Sequence, residues 1–225
     1  MRTFNMLKAG FLVCILSTLC QTARGDVTYN VTLDTAPLVG HPAGPFYIEL
    51  AFTDGSGVND ANNTVSLSNF NFGGGSSLGS PLIFGGASGS VEAGVSIVDN
   101  SFLSLFSEPF APGLQLSFSL GLTLNDDAGG TPDRLTFFVL DNSGVALPTL
   151  APAGDYFFGV DIHSTGPIFD AYGSDPNRAP TVGAPVLIPT PIIASVPEPS
   201  TIYLLGGVLS MLVALRRCVS RSRLR

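Results

Sequence analysis

The feature that most constrains the fold is a strict alternation of apolar and polar side chains along the body of the chain. It is clearest over residues 114–124, where every second residue is apolar: Leu114, Leu116, Phe118, Leu120, Leu122 and Leu124. A period of two places all of these side chains on one face of a β-strand, whereas a helix repeats about every 3.6 residues. The alternation therefore predicts a strand with one buried face and one polar face.

Shorter runs of the same kind recur between residues 26 and 173, and no amphipathic helix interrupts them. They predict strands over residues 27–33, 46–52, 65–72, 91–98, 102–106, 114–124, 135–140, 156–162 and 168–172. Many short strands without helices are typical of an all-β fold, here an antiparallel β-sandwich of jelly-roll-like type. Its inner face is expected to carry Phe52, Phe70, Leu116, Phe118, Leu120, Phe137, Val139 and Phe158.

The N-terminus has the three parts of a signal peptide. Arg2 and Lys8 form a positive segment, residues 9–19 are apolar, and Ala23 and Gly25 supply the small residues that precede a cleavage site. This pattern predicts export through the Sec pathway, with cleavage before Asp26.

The C-terminus has a second three-part pattern. Pro197, Glu198 and Pro199 precede an uncharged apolar run over residues 202–215. Five arginines follow the run: Arg216, Arg217, Arg221, Arg223 and Arg225. At about 1.5 Å per residue a helix of this length spans roughly 21 Å, which is short for a hydrocarbon core of about 30 Å. The arginines would keep their end cytoplasmic and place the body outside.

This arrangement closely resembles the PEP-CTERM sorting signal. The resemblance implies recognition by an exosortase, cleavage near residues 197–199 and transient residence in the inner membrane. It further implies a final place in the cell envelope, on the surface or in the extracellular matrix. The body is also similar to an uncharacterised group of PEP-CTERM proteins, on stretches such as residues 29–34 and 46–50. That second resemblance brings no site residues with it.

These patterns divide the chain into a signal peptide (1–25), a β-sandwich domain (26–175), a Pro-rich spacer (176–195) and the sorting signal (196–225). The spacer is predicted from five closely spaced prolines, which favour a semi-extended backbone: Pro176, Pro180, Pro185, Pro189 and Pro191.

The body is strongly acidic. Residues 26–195 contain sixteen acidic residues against Arg134 and Arg178, which makes their net charge −14. Such a surface repels nucleic acids and attracts cations, so we expect no nucleic-acid partner. The same stretch contains no cysteine, which excludes a disulfide framework there.

Two groups of turn residues are candidate calcium ligands, because hard cations prefer several oxygen ligands from loops. The first group is Asn125, Asp126, Asp127 and Asp133; the second is Asp54, Asn59 and Asp60. Neither has the spacing of an EF-hand loop, and Asp and Asn also favour turns without any ion.

No pattern in the body indicates an enzyme. His41 and His163 are the only histidines, and no nucleophile elbow precedes a helix. We therefore predict a non-enzymatic surface or matrix role. The alternative is a module that binds exopolysaccharide, with Tyr47, Tyr156 and Tyr172 as candidate stacking platforms if they face outward. Ice binding is a minor alternative, which would require a regular threonine array that these strands lack.

Overall fold

The computed structural model describes residues 26–57, 59–127 and 130–196. The predicted signal peptide and the sorting motif with its apolar run and arginines lie outside the described residues. Among the residues that the structure describes, no helix is long and apolar enough to cross a membrane.

The described residues form thirteen β-strands and one short 3-10 turn, Ala36–Leu38. The strands are β1 (Val27–Asp34), β2 (Phe46–Thr53), β3 (Thr64–Asn71), β4 (Ser76–Ser77), β5 (Leu82–Phe84), β6 (Ala87–Ser90), β7 (Gly94–Val98), β8 (Leu103–Ala111), β9 (Gln115–Leu122), β10 (Asp133–Leu140), β11 (Phe158–Ile162), β12 (Ile168–Ala171) and β13 (Ile192–Val196).

These strands form two sheets in which neighbouring strands are antiparallel. The first sheet has the order β13-β1-β9-β3-β7-β6. The second has the order β12-β11-β10-β2-β8-β4, and β5 also pairs with β8. The sheets pack face to face around one core, so the predicted all-β antiparallel sandwich is confirmed.

The core follows the alternation read from the sequence. In β9 the buried residues are every second one, and in β2 the pattern is equally regular. Phe118 of the first sheet lies 5.7 Å, between ring centroids, from Phe137 of the second. Phe137 in turn stacks on Phe158 at 5.0 Å. Bulky rings thus fill the gap between the sheets, which accounts for the abundance of phenylalanine.

Seven of the eight residues predicted for the inner face are fully buried, and Phe70 is partly buried against the same core. The pairing of β3 with β9 shifts register between Ser68 and Asn71. Asn69 in this bulge has a φ of 56°. The extra residue moves Phe70, rather than residue 69, to the side of the core.

The structure differs from the predicted spacer at residues 176–195. Val186 and Ile188 are 5 % and 2 % exposed and belong to the core. β13 pairs with β1 in a register that sets Val196 opposite Thr28. The sandwich therefore extends to Val196 instead of ending at residue 175, and this segment packs on it rather than standing away from it.

Candidate cation site

The candidate site is formed by loops that meet at one end of the sandwich. β3 starts where β7 and β9 end, since Thr64 lies opposite Val98 and Val65 opposite Leu122. In the second sheet, Arg134 near the start of β10 lies opposite Thr53 at the end of β2. The described residues of loops 54–63, 99–102 and 123–132 therefore converge, and these loops are rich in Asp and Asn.

Five carboxylates from these loops form what we call the acidic cluster: Asp54, Asp60, Asp99, Asp127 and Asp133. Oxygens of Asp54, Asp127 and Asp133 lie within 4.8 Å of one another, and so do oxygens of Asp60, Asp99 and Asp127. Asp127 belongs to both groups and joins them. All except Asp60 are buried, and Asp99 has no exposed surface.

Backbone amides hold the cluster in place. The Gly55 N–H donates to Asp133 Oδ1 at 2.9 Å, and the Ser56 N–H donates to Asp127 Oδ2 at 3.0 Å. The N–H of Asn59 donates to Asp54 Oδ2 at 2.6 Å. The turn after β2 thus binds carboxylates from its own loop, from the loop between β9 and β10, and from the first residue of β10.

Asn63 ties the two sheets together. Its side-chain amide donates to Asp133 Oδ2 at 2.7 Å and to the backbone carbonyl of Asn125 at 3.0 Å. Its backbone N–H donates to Asp99 Oδ2 at 3.0 Å. One residue therefore contacts carboxylates that follow β7 and begin β10.

Asn62 lies against the outer part of the cluster. Its Nδ2 donates to Asp127 Oδ1 at 2.8 Å and to Asp60 Oδ2 at 3.2 Å. Asn125 Nδ2 donates to the backbone carbonyl of Asn62 at 2.6 Å and fixes this position. Two buried acceptors remain without a hydrogen-bond partner in this region, namely Asn62 Oδ1 and Asp99 Oδ1.

The electrostatics of the cluster oppose full ionisation. Burial raises the pKa of Asp99 to about 7, and the neighbouring Asp133 and Asp60 act in the same direction. Burial also raises the pKa of Asp133. Asp54 is different: burial opposes its charge, yet hydrogen bonds from Asn59, Ser56 and Gly57 hold its pKa below the ordinary value.

The arginines of the described residues form their ion pairs elsewhere. Arg134 pairs with Asp161 at 2.7 Å and with Asp170 at 2.9 Å. Arg178 pairs with Asp155 and Asp175. No described arginine therefore neutralises the acidic cluster.

The structure merges the two predicted groups of calcium ligands into one. Asp127 and Asp133 lie with Asp54 and Asp60, while Asn59 and Asn125 support them through hydrogen bonds. Asp126 lies apart from them: it is exposed and accepts hydrogen bonds from the N–H of Ser164, at 2.8 Å, and from the hydroxyl of Ser164. Asp126 and the adjacent Asp127 thus contact different loops, since Asp127 accepts from the Ser56 N–H and Asp126 from Ser164.

Three contributors were not predicted: Asp99, Asn62 and Asn63. Asp99 directly follows the predicted strand 91–98, and that position at a strand end was the available signal.

The three tyrosines predicted as stacking platforms differ in how exposed they are. Tyr156 is only 8 % exposed, and its hydroxyl donates to Asp170 Oδ2 at 2.6 Å. It also meets the ring of Tyr172 edge-on at 5.5 Å. Its ring is therefore not a free stacking surface, whereas Tyr47 and Tyr172 are partly exposed.

Several buried oxygen atoms on converging loops have the chemistry that a hard divalent cation requires. No protein-family model, no curated protein and no solved structure matches the chain. The assignment of chemistry to this site therefore depends on its geometry.

Proposed function

We propose that the protein is an exported bacterial surface or extracellular-matrix protein with a non-enzymatic, structural role. The observation that carries the proposal is the order of Pro197–Pro199, the apolar run 202–215 and the terminal arginines, in a chain that also begins with a signal-peptide pattern. In this proposal the Sec pathway exports the chain. The apolar run then holds it in the inner membrane until an exosortase processes it.

For the body we propose a jelly roll. The support is the strand order β1-β9-β3-β7 in one sheet and β2-β8-β4 in the other. Successive long strands of the chain alternate between the two sheets, as two interlocked Greek keys require. Such a fold needs neither disulfide nor cofactor to close its core, which suits a structural component.

The extent of the sandwich is compatible with processing near the sorting motif. β13 ends at Val196, one residue before Pro197. Cleavage at or after residue 197 would leave every described strand in the released product. Cleavage inside β13 would remove the partner of β1 and expose an edge.

Mass spectrometry of the protein from its own host tests this proposal. The expected mature chain begins at Asp26 and ends near residues 197–199. Replacing Pro197, Glu198 and Pro199 with alanine should leave the tail attached and the protein in the inner membrane. Glu92→Ala, an exposed turn residue, is the matched control and should be processed normally. A wild-type product that retains Arg216 and resides in the inner membrane would contradict the proposal.

A carbohydrate-binding module is the second candidate. The observation in its favour is that Tyr47 and Tyr172 are partly exposed residues, since binding modules stack sugars on exposed aromatic rings. Specific binding on a glycan array that is lost in Tyr47→Ala or Tyr172→Ala would favour it. Phe102→Ala, which removes an exposed ring near the acidic cluster, is the control. A blank array would leave the structural role.

A further inference from the structure

We infer that the acidic cluster at the end of the sandwich is a binding site for a calcium ion that joins the loops of the two sheets. The inference depends only on the described residues, so its test is independent of the proposed processing of the tail.

The first argument is the position of the oxygen atoms. Carboxylate oxygens of Asp60, Asp99 and Asp127 lie within 4.8 Å of one another, a separation that two ligands of one calcium ion can have at ligand distances of about 2.4 Å. Asp127 also lies within the same limit of Asp54 and Asp133. An ion held there would contact residues on three loops.

The second argument is independent of the number of acids. Asp99 is fully buried, and its Oδ1 has no hydrogen-bond partner. A buried carboxylate oxygen without a partner is unfavourable unless a proton, which Asp99 could share with the neighbouring Asp133, or a cation satisfies it. Asn62 Oδ1 also has no hydrogen-bond partner, although it is the Nδ2 of this amide that faces Asp60 and Asp127.

Asn62 is also placed to respond to an ion. Its Nδ2 now donates to Asp60 and Asp127, two of the three carboxylates in that group. Rotating the amide by half a turn about its last bond would turn Oδ1 toward the same two carboxylates. That oxygen could then become a ligand, and its bond to the ion would replace the two hydrogen bonds that Nδ2 donates now.

Charge and ligand type select the class of ion. The five carboxylates have no ion pair with Arg134 or Arg178, so a divalent cation would remove repulsion that no described arginine offsets. Calcium accepts many protein oxygens in irregular geometry, whereas magnesium demands a near-ideal octahedron and keeps several waters. A site of carboxylates and amides from three loops fits calcium better.

Thermal unfolding of the purified full-length protein in mild detergent tests the inference. After removal of metals with a chelator, the melting temperature is measured with calcium, with magnesium and with sodium chloride at matched ionic strength. An ion that binds only the folded state at a hundred times its dissociation constant should raise the melting temperature by about 5–10 °C. Calcium should produce this rise, and the other two salts should produce clearly less.

Three variants locate the effect. Asp99→Asn and Asp127→Asn should abolish the calcium-specific rise, whereas Asp126→Asn should keep it, because Asp126 is bonded to Ser164 outside the cluster. Without calcium, Asp99→Asn should melt at a higher temperature than wild type, because it removes a buried carboxylate crowded by others. A higher melting temperature without calcium would also show that the Asp99→Asn variant folds. The loss of the calcium effect in Asp99→Asn can therefore be interpreted even if Asp127→Asn does not fold.

Equal rises with all three salts would overturn the inference. It would also fail if the calcium-specific rise survived in Asp99→Asn, or if Asp126→Asn abolished it, since the ion would then bind elsewhere.

Discussion

Replacing Ile188 with alanine is expected to destabilise the protein strongly, although Ile188 lies in a proline-rich segment that its sequence alone marks as a spacer. Ile188 is 2 % exposed in the core, and its backbone exchanges hydrogen bonds with Ser174. The substitution keeps those backbone bonds and removes three buried carbon atoms. At about 0.8 kcal/mol for each, with a further cost for the cavity, the loss in free energy of unfolding is about 2–5 kcal/mol.

Leu187→Ala is the matched control, because Leu187 is 62 % exposed between the two buried residues Val186 and Ile188. It should change the free energy of unfolding by less than about 0.5 kcal/mol. In thermal unfolding followed by far-UV circular dichroism, we expect Ile188→Ala to lower the melting temperature by about 5–15 °C and Leu187→Ala by less than about 2 °C. If the two variants melt at the same temperature, residues 176–196 do not pack on the sandwich and the argument is wrong.

Two further predictions concern the charge and the core of the domain. In calcium-free buffer, stability should fall as the pH rises from about 4 to 7, because Asp99 keeps its proton to a pKa of about 7 in the folded state, whereas an unfolded aspartate releases it near 3.9. Burial also raises the pKa of Asp133, which acts in the same direction. Asp99→Asn should make the melting temperature less dependent on pH. Equal melting temperatures of the wild type at pH 5 and pH 8 would contradict this prediction. Phe137→Ala should cost about 3–5 kcal/mol of stability in chemical unfolding, because its ring lies between the sheets, whereas Phe84→Ala, at an exposed position, should cost little.

The fold could be predicted where periodicity is regular and long. β2 and β9 each bury every second residue, and both were predicted within a few residues of their ends. β13 was not predicted, because its sequence follows several prolines and only one side of it contacts the core. The short strands β4, β5 and β6 were also missed, since two to four residues carry too little pattern to be recognised.

The candidate site was predictable only in fragments. Asp54, Asp127 and Asp133 were proposed as ligands because Asp is common in turns, but their meeting depends on β2 and β9 ending, and β10 beginning, on one side of the sandwich. The order of the strands in the two sheets determines which loops meet, and the local sequence does not reveal that order. Asp99 illustrates the limit: a single aspartate after a strand is an ordinary turn former until β7 is known to lie beside β3.

The end of β13 and the acidic cluster lie on the same side of the molecule. Val196 is opposite Thr28, and Thr28 is opposite Gly121, near the end of β9 that leads into the cluster. The two strand spacings between β13 and β9 amount to roughly 10 Å. If the tail anchors the chain as we propose, the end of the sandwich that carries the acidic cluster is therefore also the end at which β13 leads into the tail. A calcium ion bound there would stabilise the loops at this end in the anchored chain as well as in the released domain.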